Sequence, residues 1–293
     1  MSNMPAEPIV IDSGATLRRP GRVLLGWLND DRGALALAGG DANKAGSPEL
    51  IARVRTARDV VASRPPFQAA GDATTFDEPG LAEIEARLRS QEEAKSFFDE
   101  GWSVGLVDLT RVCSLQQQVS SQESVERVKG VSAKDLHALA ELTLPARSLT
   151  TLPVQFDQIR NSWIVSAANP NLRIVGGFNA PIGEGVIGLG FGVSVMSSFL
   201  QVARHHGRLV LRDGYQRAYG LLERGISYVP AFVRDFGVGD LGTAQGLFTT
   251  DVYLAERPPL LSDFLDDSVS SDVELPIVQK MIVIQGLELT PLV

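Results

Sequence analysis

The segment RLVLRDGYQRAYGLLERGISYVP, residues 208–230, constrains the fold of this chain more than any other stretch. It contains a short β-forming run, a polar hinge, a helical pattern and the start of a second β-forming run at 226–233. The helix is indicated by apolar side chains at helical spacing: Tyr215, Ala218, Tyr219 and Leu222. Gly225 supplies the stop signal. The segment therefore predicts strand, hinge, helix and strand, with the helix beginning at about Gly214.

The N-terminus of that helix is a candidate anion site. The first N–H groups of a helix have no partner within it, and they carry the positive end of its dipole. Arg212 precedes Gly214 and Arg217 lies one turn inside the helix, so each can donate charge-assisted hydrogen bonds to a phosphate. Asp213 is a candidate helix cap. The hinge therefore predicts a phosphate-binding turn.

The order of these elements resembles the ParB/sulfiredoxin-like fold, whose members carry a D-G-x-x-R turn, a helix, a glycine and a V-P strand. The matching residues here are GRLVLRDGYQRA at 207–218, then Gly225 and Val229-Pro230. The resemblance covers roughly residues 190–235, or 150–240 if the preceding strands belong to it. It implies an α+β protein with a helical N-terminal region and a C-terminal ParB/sulfiredoxin-like mixed α/β domain.

The resemblance also implies a ligand. Partition proteins of this family hold a nucleoside triphosphate on a Gly-x-Arg-Arg turn and bind DNA, whereas sulfiredoxins repair an oxidised cysteine with Gly-Cys-His-Arg. Here Tyr215 stands at the cysteine position and Gln216 at the histidine or arginine position. Gly214 and Arg217 match, and Asp213 is shared with the D-G-x-x-R branch. The resemblance therefore implies a nucleotide or phosphate site formed by residues 214–217.

The chemistry that such a site implies is phosphoryl transfer or hydrolysis of a nucleotide held with Mg²⁺. Arg212 is then a second cation, and Asp213 and Glu184 are the candidate bases; whether the protein is an enzyme stays open. No resident metal site is predicted. His205 and His206 are adjacent and, on a strand, point to opposite faces, and the chain has no cysteine cluster.

The string GEGVIG at 183–188 satisfies the G-x-G-x-x-G pattern of dinucleotide-binding loops. Gly190, Gly192 and β-forming residues follow it, so no helix begins there to receive a phosphate. A hairpin or lid is favoured over a phosphate loop. Glu184 at its tip is a candidate base or a solvated side chain.

The rest of the chain divides into a helical half and a β-rich half. The first 46 residues predict irregular structure with strand-like runs at 23–27 and 34–38. Ser47-Pro48-Glu49 predicts the start of a helix that ends near residue 63. The later patterns are a helix at 81–98, a strand at 103–109, a strand-to-helix transition at 111–128 and a helix at 132–142 capped by Ser132. Short strands follow from 149 onward, among them runs at 172–175 and 192–195. We expect domains at 1–148 and 149–293, the second with an acidic C-terminal extension.

The net charge of −8 argues against a protein that binds nucleic acid over its whole surface, because duplex affinity rests on Lys and Arg neutralising phosphates. One basic cluster remains: Arg204, His205, His206, Arg208, Arg212, Arg217 and Arg224. It is either a contact face for phosphate or DNA, with Arg204 and Arg208 as DNA contacts, or a solvated edge. A DNA-associated factor of a partition, modification or defence system is therefore one alternative function.

The acidic segment at 257–276 is either a charged loop, a surface for a protein partner, or a segment that folds against the basic cluster. A second alternative function follows from it. The chain is then a non-catalytic interaction or assembly component in which the hinge is structural.

The compartment is predicted from cysteine usage and apolar runs. Cys113 is the single cysteine and forms no internal disulfide, which fits a reducing compartment. The N-terminal residues lack the pattern of a signal peptide. The most apolar stretch, at 186–200, is about 15 residues long, short of the ~20 needed to cross a bilayer. We expect a cytoplasmic protein without a membrane segment.

Overall fold

The computed structural model describes residues 17–68, 73–146, 151–167, 171–237, 241, 246–277 and 280–286. Its helices are α1 (Asp30–Leu37), α2 (Ala42–Ala45), α3 (Pro48–Ser63), α4 (Leu81–Arg89), α5 (Glu92–Asp99), α6 (Ser121–Arg127), α7 (Leu136–Thr143), α8 (Tyr215–Glu223) and α9 (Thr250–Tyr253). Short 3-10 turns lie at Leu25–Trp27, Leu109–Arg111 and Leu261–Leu265.

The strands are β1 (Arg18–Leu24), β2 (Thr74–Thr75), β3 (Ser103–Asp108), β4 (Val112–Ser114), β5 (Gln118–Ser120), β6 (Val154–Asp157), β7 (Ser162–Ala167), β8 (Leu172–Gly183), β9 (Val186–Val195), β10 (Gln201–His205), β11 (Arg208–Asp213), β12 (Tyr228–Phe236), β13 (Ser270–Pro276) and β14 (Lys280–Gln285). Helices and strands are both abundant and form several sheets, so the α+β class is confirmed.

The chain forms two compact units. The hinge unit consists of Arg18–Ala146 and Ser198–Leu275, and the hairpin unit of Met1–Leu17, Arg147–Ser197 and Pro276–Val293. These units differ from the predicted consecutive domains 1–148 and 149–293. The reason is that strands from both halves of the chain share one sheet.

That sheet is the centre of the hinge unit, with the strand order β2-β3-β12-β10-β11-β4. β10 pairs with β11 antiparallel, and β12 pairs with β10 parallel and with β3 antiparallel. The hinge strand β11 also pairs with β4 in parallel, which sets Leu209 beside Val112. A smaller sheet has the order β13-β1-β5, so the acidic C-terminal segment joins the N-terminal strand.

Two clusters of buried apolar side chains hold the hinge unit together. The larger covers the hinge and includes Leu211, Tyr215 and Phe264. The smaller combines aliphatic side chains with a group of aromatic rings. The rings of Phe97 and Phe232 stack at 5.0 Å between centroids, and other ring pairs meet edge to face around them. Such pairs add about 0.5–1.5 kcal/mol each beyond the area that they bury.

Several predicted helices differ from the observed ones. The helix at 48–63 is confirmed as α3. The single helix predicted at 81–98 is two helices, because Gln91 takes an extended conformation and the Ser90 hydroxyl donates to the Arg87 carbonyl. The helix predicted from Ser132 begins at Leu136 instead. Its cap is Asp135, whose carboxylate accepts from the Ala138 amide at 2.9 Å.

The N-terminal residues are more regular than predicted. Among the described residues from 17 onward, β1 and α1 replace the expected irregular structure. The run at 34–38 predicted as strand-like lies in α1 and at its end. The Asn29 side chain accepts a hydrogen bond from the Arg32 amide, and this cap starts the helix ahead of the apolar run.

The hairpin unit has two small sheets. One has the order β14-β7-β6, and the other is the long antiparallel hairpin β8-β9. The short runs predicted at 172–175 and 192–195 are the base of this hairpin, which extends to its turn at Glu184-Gly185. Among the described residues, no helix is long and apolar enough to cross a membrane.

Candidate functional site

The hinge has the predicted geometry. β11 ends at Asp213, Gly214 follows with φ at +97°, and α8 begins at Tyr215. A side chain at Gly214 would be strained by this φ, and its Cβ would lie 3.1 Å from the Leu200 Cα. Gly225 after the helix also has a positive φ of +74°. The predicted start and stop of α8 are confirmed.

Arg217 is directed into the protein. It is 5% exposed, and its guanidinium donates to the Leu142 carbonyl at 3.0 Å and to the Ser198 hydroxyl at 2.7 Å. It also lies 3.4 Å from the carbonyl of Thr143. Burial lowers the pKa of Arg217 to about 10, while the charge of Asp213 opposes that shift. The guanidinium N–H groups therefore bind the last carbonyls of α7, which have no hydrogen-bond partner within the helix itself.

Asp213 completes the same network. One carboxylate oxygen accepts from the Gly214 amide at 2.7 Å, and the other accepts from the Ser198 hydroxyl at 3.1 Å. Asp213 therefore fixes the turn that precedes α8 through the Gly214 amide. Ser198 links this carboxylate to the guanidinium of Arg217, so Asp213 and Arg217 are bound to one hydroxyl.

Tyr215 is also bound inside the fold. Its ring is buried, and its hydroxyl accepts from the amides of Leu115 and Gln116 and donates to the Leu211 carbonyl. Burial raises the pKa of this phenol above its usual range. Tyr215 thereby ties the start of α8 to β11 and to the chain after β4. Gln216, the next predicted ligand, is half-buried.

Arg212 is the one cation of the hinge that is exposed. Its guanidinium lies over the rings of Phe236, at 4.8 Å, and Trp102, at 5.9 Å. Arg234 stacks on the same Phe236 ring and pairs with Glu100, whereas Arg212 has no carboxylate partner within the described part of the chain. Desolvation and the charge of Arg234 lower the pKa of Arg212.

The remaining arginines of the basic cluster have partners within the fold. Arg204 pairs with Asp235 at 3.3 Å, and Arg208 donates to the Tyr253 carbonyl at 2.7 Å. Arg224 donates to main-chain carbonyls after α6. The two histidines were expected on opposite faces of a strand, but His206 lies in the turn after β10 with a φ of +49°, and the two rings meet at 4.4 Å between centroids. His205 is buried and His206 is exposed. The cluster therefore divides among several local contacts, and DNA binding through Arg204 and Arg208 stays a prediction.

The acidic segment folds against arginines from the N-terminal half rather than against the basic cluster. Arg64 pairs with Asp263 and Asp266, at 2.8 and 2.7 Å. Arg22 likewise forms ion pairs with Asp267 and Asp272. Burial raises the pKa of Asp263, and Arg64 opposes this. This pairing was missed because the partners lie about 200 residues apart in sequence.

Glu184 lies in the hairpin unit, whereas Asp213 lies in the hinge unit, so the two candidate bases belong to different compact units. The GEGVIG string forms the turn of the β8-β9 hairpin, with Gly185 at a φ of +69°. The predicted hairpin is confirmed. Among the described residues, no group of three or more His, Cys, Asp or Glu side chains is placed to hold a metal ion.

The apolar surface of the hairpin was not predicted. Phe178 is 70% exposed and Leu189 is 71% exposed, and further large side chains of the hairpin are exposed by half or more: Ile174, Val175, Ile182, Val186 and Ile187. The signal was present in the sequence as glycines alternating with apolar residues over 186–193. Such alternation does not reveal whether either face is covered.

The hairpin also lines a cleft within its own unit. The cleft has a volume of about 550 Å³, and apolar side chains of β6, β7, β9 and β14 form its walls, among them Val154, Trp163, Leu189, Phe191 and Ile284. Trp163 and Leu189 remain more than half exposed despite this position. The cleft is therefore open to solvent, and the apolar surface of β9 continues out of it.

The site that the sequence predicted is thus a set of structural contacts with one exposed arginine at its margin. The resemblance to the ParB/sulfiredoxin-like family stays a prediction. No family model, curated protein or solved structure matches this chain.

Proposed function

We propose that this protein is an interaction component whose docking element is the β8-β9 hairpin. The observation that carries the proposal is the exposed apolar surface of that hairpin. Over residues 174–195 the only charged side chain is Glu184, which lies in the turn.

The energetics of such a hairpin support a docking role. A two-stranded sheet is marginally stable in water unless another layer or strand covers it. Soluble proteins rarely expose apolar patches of more than a few hundred Å², and larger patches mark interaction sites. The exposed fractions of the hairpin side chains correspond to on the order of 800 Å² of apolar surface, summed over both faces of the hairpin.

The hinge supports the same proposal. A phosphate is held best by donors that are not already bonded within the fold, because each internal hydrogen bond that it replaces offsets the gain. The polar atoms of Arg217, Asp213 and Tyr215 are instead bonded to the protein's own main chain and to Ser198. We therefore interpret the hinge as a structural element that fixes α8 and α7 to the sheet.

The proposal is tested by site-specific photo-crosslinking in cells that express the full chain. A benzophenone side chain replaces Ile187, which is 71% exposed on β9, or Val125 on α6, a 50% exposed apolar residue of the hinge unit that serves as the matched control. We expect a discrete adduct from position 187 and none from position 125. The substitution Leu189→Lys should abolish the adduct, because a buried unpaired charge is costly in an apolar interface.

Equal labelling from the two positions, or a discrete adduct that survives Leu189→Lys, would contradict the docking role of the hairpin. Circular dichroism of each variant establishes that a lost adduct is not a lost fold.

Arg212 favours a second candidate, the binding of a nucleotide or another phosphate-bearing ligand near the hinge. An exposed guanidinium that has no carboxylate partner among the described residues, beside the like charge of Arg234, attracts an anion. Two aromatic faces hold both guanidinium groups in place. The exposed Arg212, rather than the buried Arg217, is the residue that would contact the ligand.

Thermal unfolding with a panel of nucleotides and Mg²⁺ tests this candidate. A ligand at 100 times its Kd adds about 2.7 kcal/mol to the free energy of unfolding. The stabilisation should vanish in Arg212→Ala and persist in Arg55→Ala, which removes an exposed arginine from α3. A stabilisation that Arg212→Ala retains, or its absence in the unmodified protein, rules out the site.

A further inference from the structure

The two strands of the hairpin differ in how they protect their edges. β8 carries two bulges, at Val175 and Ile182, and contains Pro181. Bulges and prolines are the devices by which natural sheets prevent pairing with another chain. β9 has ten residues with neither a bulge, nor a proline, nor a charge. Among the described strands it pairs only with β8.

From this difference we propose that a second copy of this chain docks on β9, strand to strand and antiparallel, about a two-fold axis. The proposal rests on the docking role proposed above and names the partner. An identical strand is the simplest partner for such an edge, because a two-fold axis presents the same unprotected row of N–H and C=O groups from both sides.

The charge of the hairpin selects the antiparallel direction. In a parallel pair the two Glu184 carboxylates would lie side by side at one end, and like charges directly opposite destabilise a sheet. In an antiparallel pair centred on Gly190 the two turns lie at opposite ends, about 40 Å apart at ~3.3 Å per residue. The repulsion between them is then screened.

In that arrangement the side chains of β9 in one copy complement the side chains of β9 in the other. With the axis at Gly190, Leu189 of one copy lies beside Phe191 of the other, and glycines meet on the opposite face. Within each hairpin the Phe178 ring packs over Gly190, so an apolar side chain already covers that face at the glycine. Joining the two hairpins makes a four-stranded sheet, which exceeds the three strands that a sheet with an apolar face needs for independent stability.

Sedimentation of the full chain tests the proposal. We expect a dimer of twice the 31.5 kDa chain mass over micromolar concentrations. Leu189→Lys should weaken dimerisation at least about 100-fold, because it places two unpaired charges in the interface. Val125→Lys, on the exposed face of α6, should leave it unchanged. A monomer at 100 µM, or a dimer that Leu189→Lys does not weaken, overturns the proposal.

Cysteine pairs test the strand and the register. Cys113 is fully buried and serves as an internal control that stays reduced. A mixture of Leu189→Cys and Phe191→Cys chains should form an intermolecular disulfide under mild oxidation. A disulfide in Phe191→Cys alone would move the axis by one residue and still support pairing through β9. Absence of a disulfide in the mixture and in each of the two single variants, Leu189→Cys alone and Phe191→Cys alone, overturns the proposal.

The photo-crosslink at position 187 separates this proposal from the one on which it rests. An adduct of twice the chain mass supports both. A discrete adduct of another mass, with a monomer in sedimentation, retains the docking role and refutes the second copy. Absence of any adduct, with a monomer in sedimentation, refutes both.

Discussion

Removing the Tyr215 hydroxyl should destabilise the hinge unit by about 2–4 kcal/mol. That hydroxyl satisfies the amide of Leu115 at 2.8 Å, the amide of Gln116 at 3.3 Å and the Leu211 carbonyl. In Tyr215→Phe these main-chain groups lose their common partner, and each buried group left without a hydrogen bond costs about 1–3 kcal/mol. Gln116 is only half-buried, so its amide regains a hydrogen bond to water and adds little to the loss in free energy of unfolding.

Tyr219→Phe is the matched control. Tyr219 lies one turn further along α8 and is equally buried, and its hydroxyl makes no hydrogen bond within the described part of the chain. Its removal leaves no main-chain group without a partner, and we expect a change below about 0.5 kcal/mol.

The assay is urea unfolding followed by near-ultraviolet circular dichroism, together with hydrogen exchange of the α8 amides. Exchange is needed because a chain with two compact units need not unfold in a single two-state transition, and the α8 amides report on the hinge unit alone. Equal losses in the two variants, or a loss below 0.5 kcal/mol in Tyr215→Phe, would show that the hydroxyl does not hold the hinge.

Three further perturbations follow from the same contacts. Arg217→Lys should lower the free energy of unfolding by about 2 kcal/mol in urea, because a single ammonium cannot reproduce the fork that reaches α7 and Ser198; no loss would contradict that role. Gly214→Ala should lower the free energy of unfolding by about 2–3 kcal/mol, because the residue has a positive φ and its Cβ would lie 3.1 Å from Leu200. Gly225→Ala should lower it by about 1 kcal/mol, because that residue also has a positive φ but open space around it. Burial raises the pKa of Cys113 from 9.0 to about 12, so the folded state holds a proton that the unfolded state loses above pH 9. The stability that this proton contributes is complete below pH 9 and falls as the pH rises toward 12. The free energy of unfolding of the unmodified protein should therefore fall by about 2 kcal/mol between pH 9 and 10.5, relative to that of Cys113→Ala. If the two proteins show the same pH dependence, burial does not raise the pKa of this thiol.

The local parts of the hinge could be predicted because they depend on neighbouring residues. Gly214 and Gly225 delimit α8 through their backbone freedom, and the apolar spacing between them defines its buried face. The start of α3 at Ser47-Pro48 was predicted for the same reason. The break between α4 and α5 was missed, since an apolar stripe does not reveal a local competition from Ser90 for the helix carbonyls.

The role of the hinge residues was decided by partners far away in the sequence. The sequence indicates that Arg217 and Tyr215 stand at a helix N-terminus. Only the tertiary structure shows that α7 and the chain after β4 supply carbonyls and amides to them. Pairings over such separations depend on the closure of long loops, and local pattern contains no information about them.

The sequence by itself therefore determined the α+β class, the strand-hinge-helix-strand segment and the existence of the hairpin at 183–188. The tertiary structure decided which surfaces are free. It buried the side chains of Arg217 and Tyr215, and it left Arg212 and an uncharged, glycine-rich strand exposed. The physical reason is that propensity and periodicity act over a few residues, whereas burial depends on which distant segment covers a face.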